Sequence, residues 1–179
     1  MMRKKGYLEN ERLRLRAVEP EDLEIMYDIE NDPGHWSVGG ITQPISRYTL
    51  RQYIESSVND FFADRQLRLM IVKSESEEVI GTLDLSDYDP IHQRAAVGIV
   101  IRQSYRKSGF ATEALQLLCE YSFGYLRLHQ LYAFVAADNQ PSLSLFSRCG
   151  FVKSGELKDW LCIGAEWNVA IIMQKIADF

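Results

Sequence analysis

Between Glu11 and Ala17 the chain alternates, with Leu13, Leu15 and Ala17 on one side and Arg12, Arg14 and Arg16 on the other. A period of two predicts a strand with one buried face and a charged outer face. The period then lengthens. Glu19-Pro20-Glu21-Asp22 opens a helix, because Pro is tolerated in a first turn and acids suit its positive end. Leu23, Met26 and Tyr27 carry that helix to a stop before Asp32-Pro33-Gly34. The stretch from His35 to Pro44, with Trp36, Gly39 and Gly40, reads as a loop passing over a pocket. A second helix is predicted from Ser46 to Ala63 on the stripe Leu50, Tyr53, Ile54, Val58, Phe61 and Phe62.

Arg68–Val72 and Val79–Leu85 form a hairpin across the polar turn Ser74–Glu78. Ala95–Ile101 is an apolar strand, and Phe110–Leu126 is the principal amphipathic helix, with Ala114, Leu117, Leu118, Tyr121 and Tyr125 on one face. Leu131–Ala136 is almost continuously apolar, the pattern of a strand covered on both faces. Pro141 opens a short helix that ends near Gly150, and strands around Phe151–Glu156 and Trp167–Ile176 close the chain. The order β-α-α-β-β-β-α-β-α-β-β is of the α/β class. With no internal repeat, low-complexity tract or linker, residues 1–179 read as one domain.

Composition narrows the function. A formal net charge of −5 argues against nucleic acid as a partner, since phosphate binding needs clustered Lys and Arg. No apolar run approaches the roughly 18 residues of a membrane span. Met1-Met2-Arg3-Lys4-Lys5 has no apolar signal region behind it, so a cytoplasmic protein is expected. The three cysteines, Cys119, Cys149 and Cys162, lack metal-ligand spacing and read as buried free thiols in a reducing compartment.

The chemistry concentrates after the strand Ala95–Ile101. There Arg106-Lys107-Ser108-Gly109-Phe110-Ala111-Thr112 turns the chain into its main helix. The first turn of a helix leaves N–H groups unpaired, its dipole adds positive charge, and Gly109 lets backbone approach an anion closely. Arg106 and Lys107 add charge, one as a planar fork and one as a point. Asp138-Asn139-Gln140-Pro141-Ser142 follows about thirty residues later, and then Phe146-Ser147-Arg148-Cys149-Gly150-Phe151.

This series resembles the GNAT superfamily of acetyl-CoA-dependent N-acetyltransferases, with its Q/R-x-x-G-x-G/A loop, an Asn after the next strand, and a helix closing on Gly-Phe. The resemblance runs from Arg12 to Met173. Within the superfamily it is similar to bacterial spermidine/diamine N-acetyltransferases and to enzymes that acetylate ribosomal-protein N-termini. The resemblance implies a central twisted mixed sheet with splayed central strands and helices on both faces. It implies acetyl-CoA as donor, its pyrophosphate on Arg106–Thr112 and its pantetheine added as a strand beside Ile99, Val100 and Ile101. Asn139 would stand at the edge of the donor tunnel with a catalytic role. Ser142 either bonds the pantetheine or caps its own helix, and Phe146 lines the tunnel. Related enzymes range from monomers to large rings, so a homo-oligomer is compatible.

Two departures matter. The spermidine enzymes place a Tyr, the acid for the departing thiolate, where this chain has Phe146. Many members carry a basic Glu where Ala96 stands. Asp84 and Asp87 are the substitute proton carriers and acceptor contacts, with Ser147 and Tyr105 as weaker candidates for the acid. The loop Val38–Pro44 lacks the carboxylates that suit a polycation, and Trp36, Tyr48, Trp160 and Trp167 offer an aromatic acceptor wall instead. The expected activity is therefore acetyl transfer to a primary amine, either of a diamine or polyamine or of a protein N-terminus. The alternative is a CoA-binding sensor or regulatory protein with weak or lost catalysis.

Overall fold

The computed structural model describes residues 6–34, 43–57, 60–163 and 165–178. The alternating stretch forms β1 (Leu13–Ala17) with Leu13 and Leu15 buried. It is the edge of a seven-stranded sheet with β2 (Leu67–Lys73), β3 (Val79–Asp89), β4 (Arg94–Ile101), β5 (Gln130–Ala136), β6 (Val152–Ile163) and β7 (Glu166–Ile176), in the order β1-β2-β3-β4-β5-β7-β6. Only β4 and β5 run parallel, so the sheet is mixed.

Helices cover both faces. On one face α4 (Phe110–Gly124) and α5 (Gln140–Arg148) bury Phe110, Ala114, Leu118 and Phe146 against Leu83, Leu85, Val97, Leu131 and Val135. On the other, α1 (Leu23–Glu30) and α2 (Arg47–Ser56) bury Met26 and Leu50 on Met70 and Val72. Among the described residues no helix is long and apolar enough to cross a membrane.

The end of α5 explains the Gly-Phe pair. Gly150 takes a left-handed φ of +85°. Its N–H bonds the Ser147 carbonyl at 3.1 Å, and the Phe151 N–H reaches back to the Phe146 carbonyl at 3.0 Å. This is a Schellman stop, and its usual apolar contact is present as the edge-on packing of Phe151 on Phe146, with centroids 5.0 Å apart. A side chain at Gly150 would force the strained conformation, so the glycine fixes where the chain leaves the helix.

Several expectations need correction. The helix expected over residues 46–63 ends at Ser56, and a separate short helix, α3 (Phe61–Asp64), follows. The cause is Asp60, whose carboxylate accepts from the N–H groups of Phe62 and Ala63 and so starts a new helix. Strand β5 is covered on one face only: Leu131, Ala133 and Val135 are buried, Tyr132 is half-buried and Phe134 is 44 % exposed. The sequence run is apolar because Tyr and Phe form an open aromatic face there. Trp36 and the rest of the segment 35–42, like Val58, lie outside the described residues.

Cys162 is exposed on β6, whereas Cys119 and Cys149 are buried as expected. Burial pushes the Cys119 thiol up to about 12, and that of Cys149 also upwards. Alkylation of the folded protein at pH 8 should therefore label Cys162 and spare the other two, with all three reacting after denaturation. Mass spectrometry of the labelled chain checks this.

Candidate active site

The parallel pair β4–β5 separates after a short contact. Its register is Arg94↔Gln130, Ala95↔Leu131 and Ala96↔Tyr132, and from Val97 onward the two strands no longer pair. In an antiparallel ladder the residues bonded to one neighbour alternate with those facing away. The Arg102 N–H donates to the Ile80 carbonyl, so in the β3–β4 register Val100 and Gly98 also face β3, while Ile99 and Ile101 face the gap. The Val100 backbone groups thus belong to the β3 ladder and not to the gap, which corrects the expectation that they would pair with pantetheine. The Ile101 carbonyl already accepts from Arg106 Nε at 2.9 Å. The Ile99 peptide groups and the Ile101 N–H remain directed into the opening. A cleft at the carboxyl ends of parallel strands is a common ligand position in α/β proteins.

The loop lies at the mouth of this gap. Arg106, Lys107, Ser108 and Gly109 are exposed and Phe110 is buried. Lys107 and Gly109 take φ of +61° and +84°. Gly109 is the N-cap of α4 and supplies no capping side chain, so among the described residues nothing caps the N–H groups of Phe110, Ala111 and Thr112, which are donors suited to an anion.

A brace behind the loop was not legible beforehand. Arg12 of the segment entering β1 donates through Nη2 to the Ser108 carbonyl at 3.1 Å and through Nη1 to Glu113. Its guanidinium lies 4.5 Å from the centre of the Phe110 ring. Asn10 holds the other Glu113 oxygen at 3.1 Å. Glu113 lies in the first turn of α4, where an unpaired carboxylate would repel a bound phosphate; the Arg12 pair neutralises it. Replacing Arg12 by Ala should raise the KM for acetyl-CoA about tenfold with little change in kcat, as expected for the loss of charge-assisted bonds worth about 1.5 kcal/mol. Adding Glu113→Gln should recover part of it, because the exposed negative charge is then gone. Steady-state kinetics of the single and double variants decides this.

Across the gap, Asn139 follows β5. Its Oδ1 caps α5 by accepting from the Ser142 N–H at 3.2 Å, and among the described residues Nδ2 has no partner. Asn139 is thus the cap of the helix, and Nδ2 is still available to donate. Phe146 is 4 % exposed and fixed by the Schellman contact. Ser147 is exposed on α5. The Tyr105 hydroxyl is hydrogen-bonded to Glu78, which leaves it a poor candidate for the acid.

The face opposite α4 holds the remaining candidates. Asp84 lies over Gly98, where an added Cβ would sit 3.9 Å from Oδ2. Both Asp84 oxygens accept from Arg68, at 2.7 Å from Nε and 3.0 Å from Nη2, and Arg68 Nη1 takes Glu30 of α1. Burial works against the Arg68 charge, but the two carboxylates hold its pKa above the ordinary value. Both Asp84 oxygens are thus spent on one forked guanidinium, a bidentate ion-pair geometry.

Asp87 is exposed at φ +50°, where the β3–β4 register slips between Ser86 and Asp89. Such a bulge re-aims a side chain. The Asp87 charge acts on Tyr132, the cross-strand partner of Ala96 at the fork of the gap; burial, with Asp87 adding to it, pushes the Tyr132 hydroxyl upwards, so it stays protonated at neutral pH. Phe134 lies 5.6 Å from Tyr132 and Trp160 6.1 Å from Phe134, an aromatic ladder leading away from the fork. Tyr48 and Trp167 are exposed at 67 % and 65 %.

Comparison with known proteins agrees with this architecture. Residues 12–152 match the model of the acetyltransferase (GNAT) domain. The chain is 33 % identical over 154 residues to an uncharacterized N-acetyltransferase, p20, of Bacillus licheniformis, covering 86 % of each chain. It is 28 % identical over 159 residues to a spermidine N(1)-acetyltransferase of Vibrio cholerae, covering 89 % of this chain and 90 % of that one. The crystal structure of spermidine N-acetyltransferase from Vibrio cholerae in complex with CoA and spermine superposes with a TM-score of 0.84 at 26 % identity, covering 93 % and 96 % of the two chains. The fold and the separated β4–β5 pair define an acyl-CoA-dependent transferase. The chain belongs to the GNAT family of acetyltransferases, whose donor is acetyl-CoA.

Proposed function

We propose that the chain transfers the acetyl group of acetyl-CoA to a primary amine by direct attack within a ternary complex. The acceptor is a diamine or polyamine, or the N-terminal amine of a protein. The carrying observation is the opening between β4 and β5, with the anion loop at its mouth and Ile99 directed into it. Pyrophosphate on the N–H groups of Phe110, Ala111 and Thr112, beside Arg106, Lys107 and Ser108, anchors the donor. Pantetheine then runs along the free edge of β4, with Asn139 Nδ2 on its other side.

The thioester reaches the fork, on the face that carries Asp87 and Tyr132. The uncharged amine attacks the thioester carbon, and the oxyanion so formed is stabilised by an N–H of Ile99 or Ile101. Collapse expels the thiolate while the amine loses a proton. No side chain at Ala96 or Phe146 moves those protons, so the in-line holding of amine and thioester supplies most of the rate. Tyr132, the partner of Ala96 across the fork, is the hydroxyl proposed to serve the departing sulfur. Incubation with acetyl-CoA and a panel of amines should release free thiol in proportion to acetylated product. The absence of both aromatic-acid and carboxylate side chains at positions 146 and 96 favours one other reading, a CoA-binding regulator. Tight acetyl-CoA binding without turnover of any amine would select it.

A further inference from the structure

On the acceptor face one guanidinium holds two acids drawn from two other elements. Arg68 of β2 spends Nε and Nη2 on Asp84 of β3 and Nη1 on Glu30 of α1. The three side chains are 23 %, 26 % and 14 % exposed, so they form a largely enclosed cluster. Tyr53 of α2 covers the guanidinium at 5.9 Å. The cluster borders β4 at Gly98, which provides no side chain beside Asp84.

A polycationic acceptor is recognised by carboxylates that pair with its second and third ammonium groups. Here the two acids of the cluster already have their cation, one that is covalently tethered and gives up no translational freedom when it binds them. The cluster carries a net charge of −1 where the acids alone would carry −2. An incoming ammonium would have to displace a planar fork whose geometry matches the carboxylate. Beyond the fork the exposed Asp87 acts on Tyr132, and the wall made by Tyr132, Phe134 and Trp160 offers aromatic stacking surface to an extended chain.

We infer that Arg68 is a specificity-determining residue that turns this acceptor site away from polycations and towards acceptors with a single amine, the class that includes a peptide N-terminus. The inference rests on the acetyltransferase reading above and selects between its two acceptor classes.

Acetylation by the full chain is to be compared for spermidine and for a peptide with a free N-terminus and no lysine. In the wild type, kcat/KM should favour the peptide by about tenfold or more, and spermidine should not compete with it. The Arg68→Gln variant should raise kcat/KM for spermidine about tenfold and leave protection against unfolding by acetyl-CoA unchanged. Arg68→Lys keeps the charge without the fork and should fall between the two. Wild-type protein that uses spermidine as well as the peptide, or is competitively inhibited by it, overturns the inference while leaving the acetyltransferase reading intact; this arm holds even if Arg68→Gln does not fold. No thiol release with any amine overturns the acetyltransferase reading itself.

Discussion

Replacing Gly109 by Val should abolish the stabilisation of the protein by acetyl-CoA and lower kcat/KM by about 100-fold or more, while the chain still folds. Gly109 has φ +84° at the N-cap of α4. A β-branched residue is a genuine outlier there, so the loop must rearrange, and with it the N–H groups of Phe110, Ala111 and Thr112 proposed to hold the anion. An added Cβ would meet nothing closer than Arg12 Nη1 at 3.8 Å, so the fold itself tolerates the extra atoms. The damage falls on the ligand side, where the side chain stands in the approach of the phosphates. Gly109→Ala should be milder, since its strain is about 1–2 kcal/mol. Thermal unfolding with and without acetyl-CoA separates the two effects: the unliganded midpoint reports strain, and the ligand-induced shift reports the lost cradle. An unchanged shift in the Val variant would mean that the donor is anchored elsewhere.

What could be read from the chain was whatever depends on neighbours in sequence. Gly109, Asn139 and Gly150-Phe151 act through backbone geometry within a few residues: an N-cap, a side-chain cap and a Schellman stop. Their spacing therefore carried the family resemblance. The period-two pattern of β1 and the helical stripe of α4 were legible for the same reason. What could not be read was set by contacts across the fold. Arg68 finds Asp84 and Glu30 at separations of 16 and 38 residues, and Arg12 finds Glu113 at 101. An Arg interrupting the apolar run Leu67–Val72 was the available signal, but nothing local says what neutralises it. Tyr132 was hidden in a run that looked uniformly buried, because whether a second face of β5 is covered depends on where α1 and α2 pack. Asp60 broke the long helix by offering a cap that competes with continuation, a balance that hydrophobic periodicity does not see.

The second large effect is a gain. Phe146→Tyr should raise kcat by about 100-fold at neutral pH, because general acid assistance to a leaving group is worth about 10²–10⁴. A thiol is far more acidic than an alcohol, so an unassisted thiolate leaves tolerably, and the benefit should shrink as the pH rises towards the pKa of the CoA thiol. The Schellman stop works in favour of the experiment. It pins the ring of residue 146 against Phe151 through a backbone motif indifferent to a para-hydroxyl, so Tyr should adopt the position of Phe. The same enclosure has a cost: without donor, a buried hydroxyl lacking a partner destabilises by about 1–3 kcal/mol. The variant should therefore melt lower alone and recover more than the wild type when acetyl-CoA is added, because a hydroxyl lining the proposed donor tunnel would bond the thioester sulfur. A lowered melting point with neither extra recovery nor a rate gain would show that the ring faces the core and not the donor. Tyr132→Phe would then be the decisive variant, as its hydroxyl would be the remaining acid near the fork.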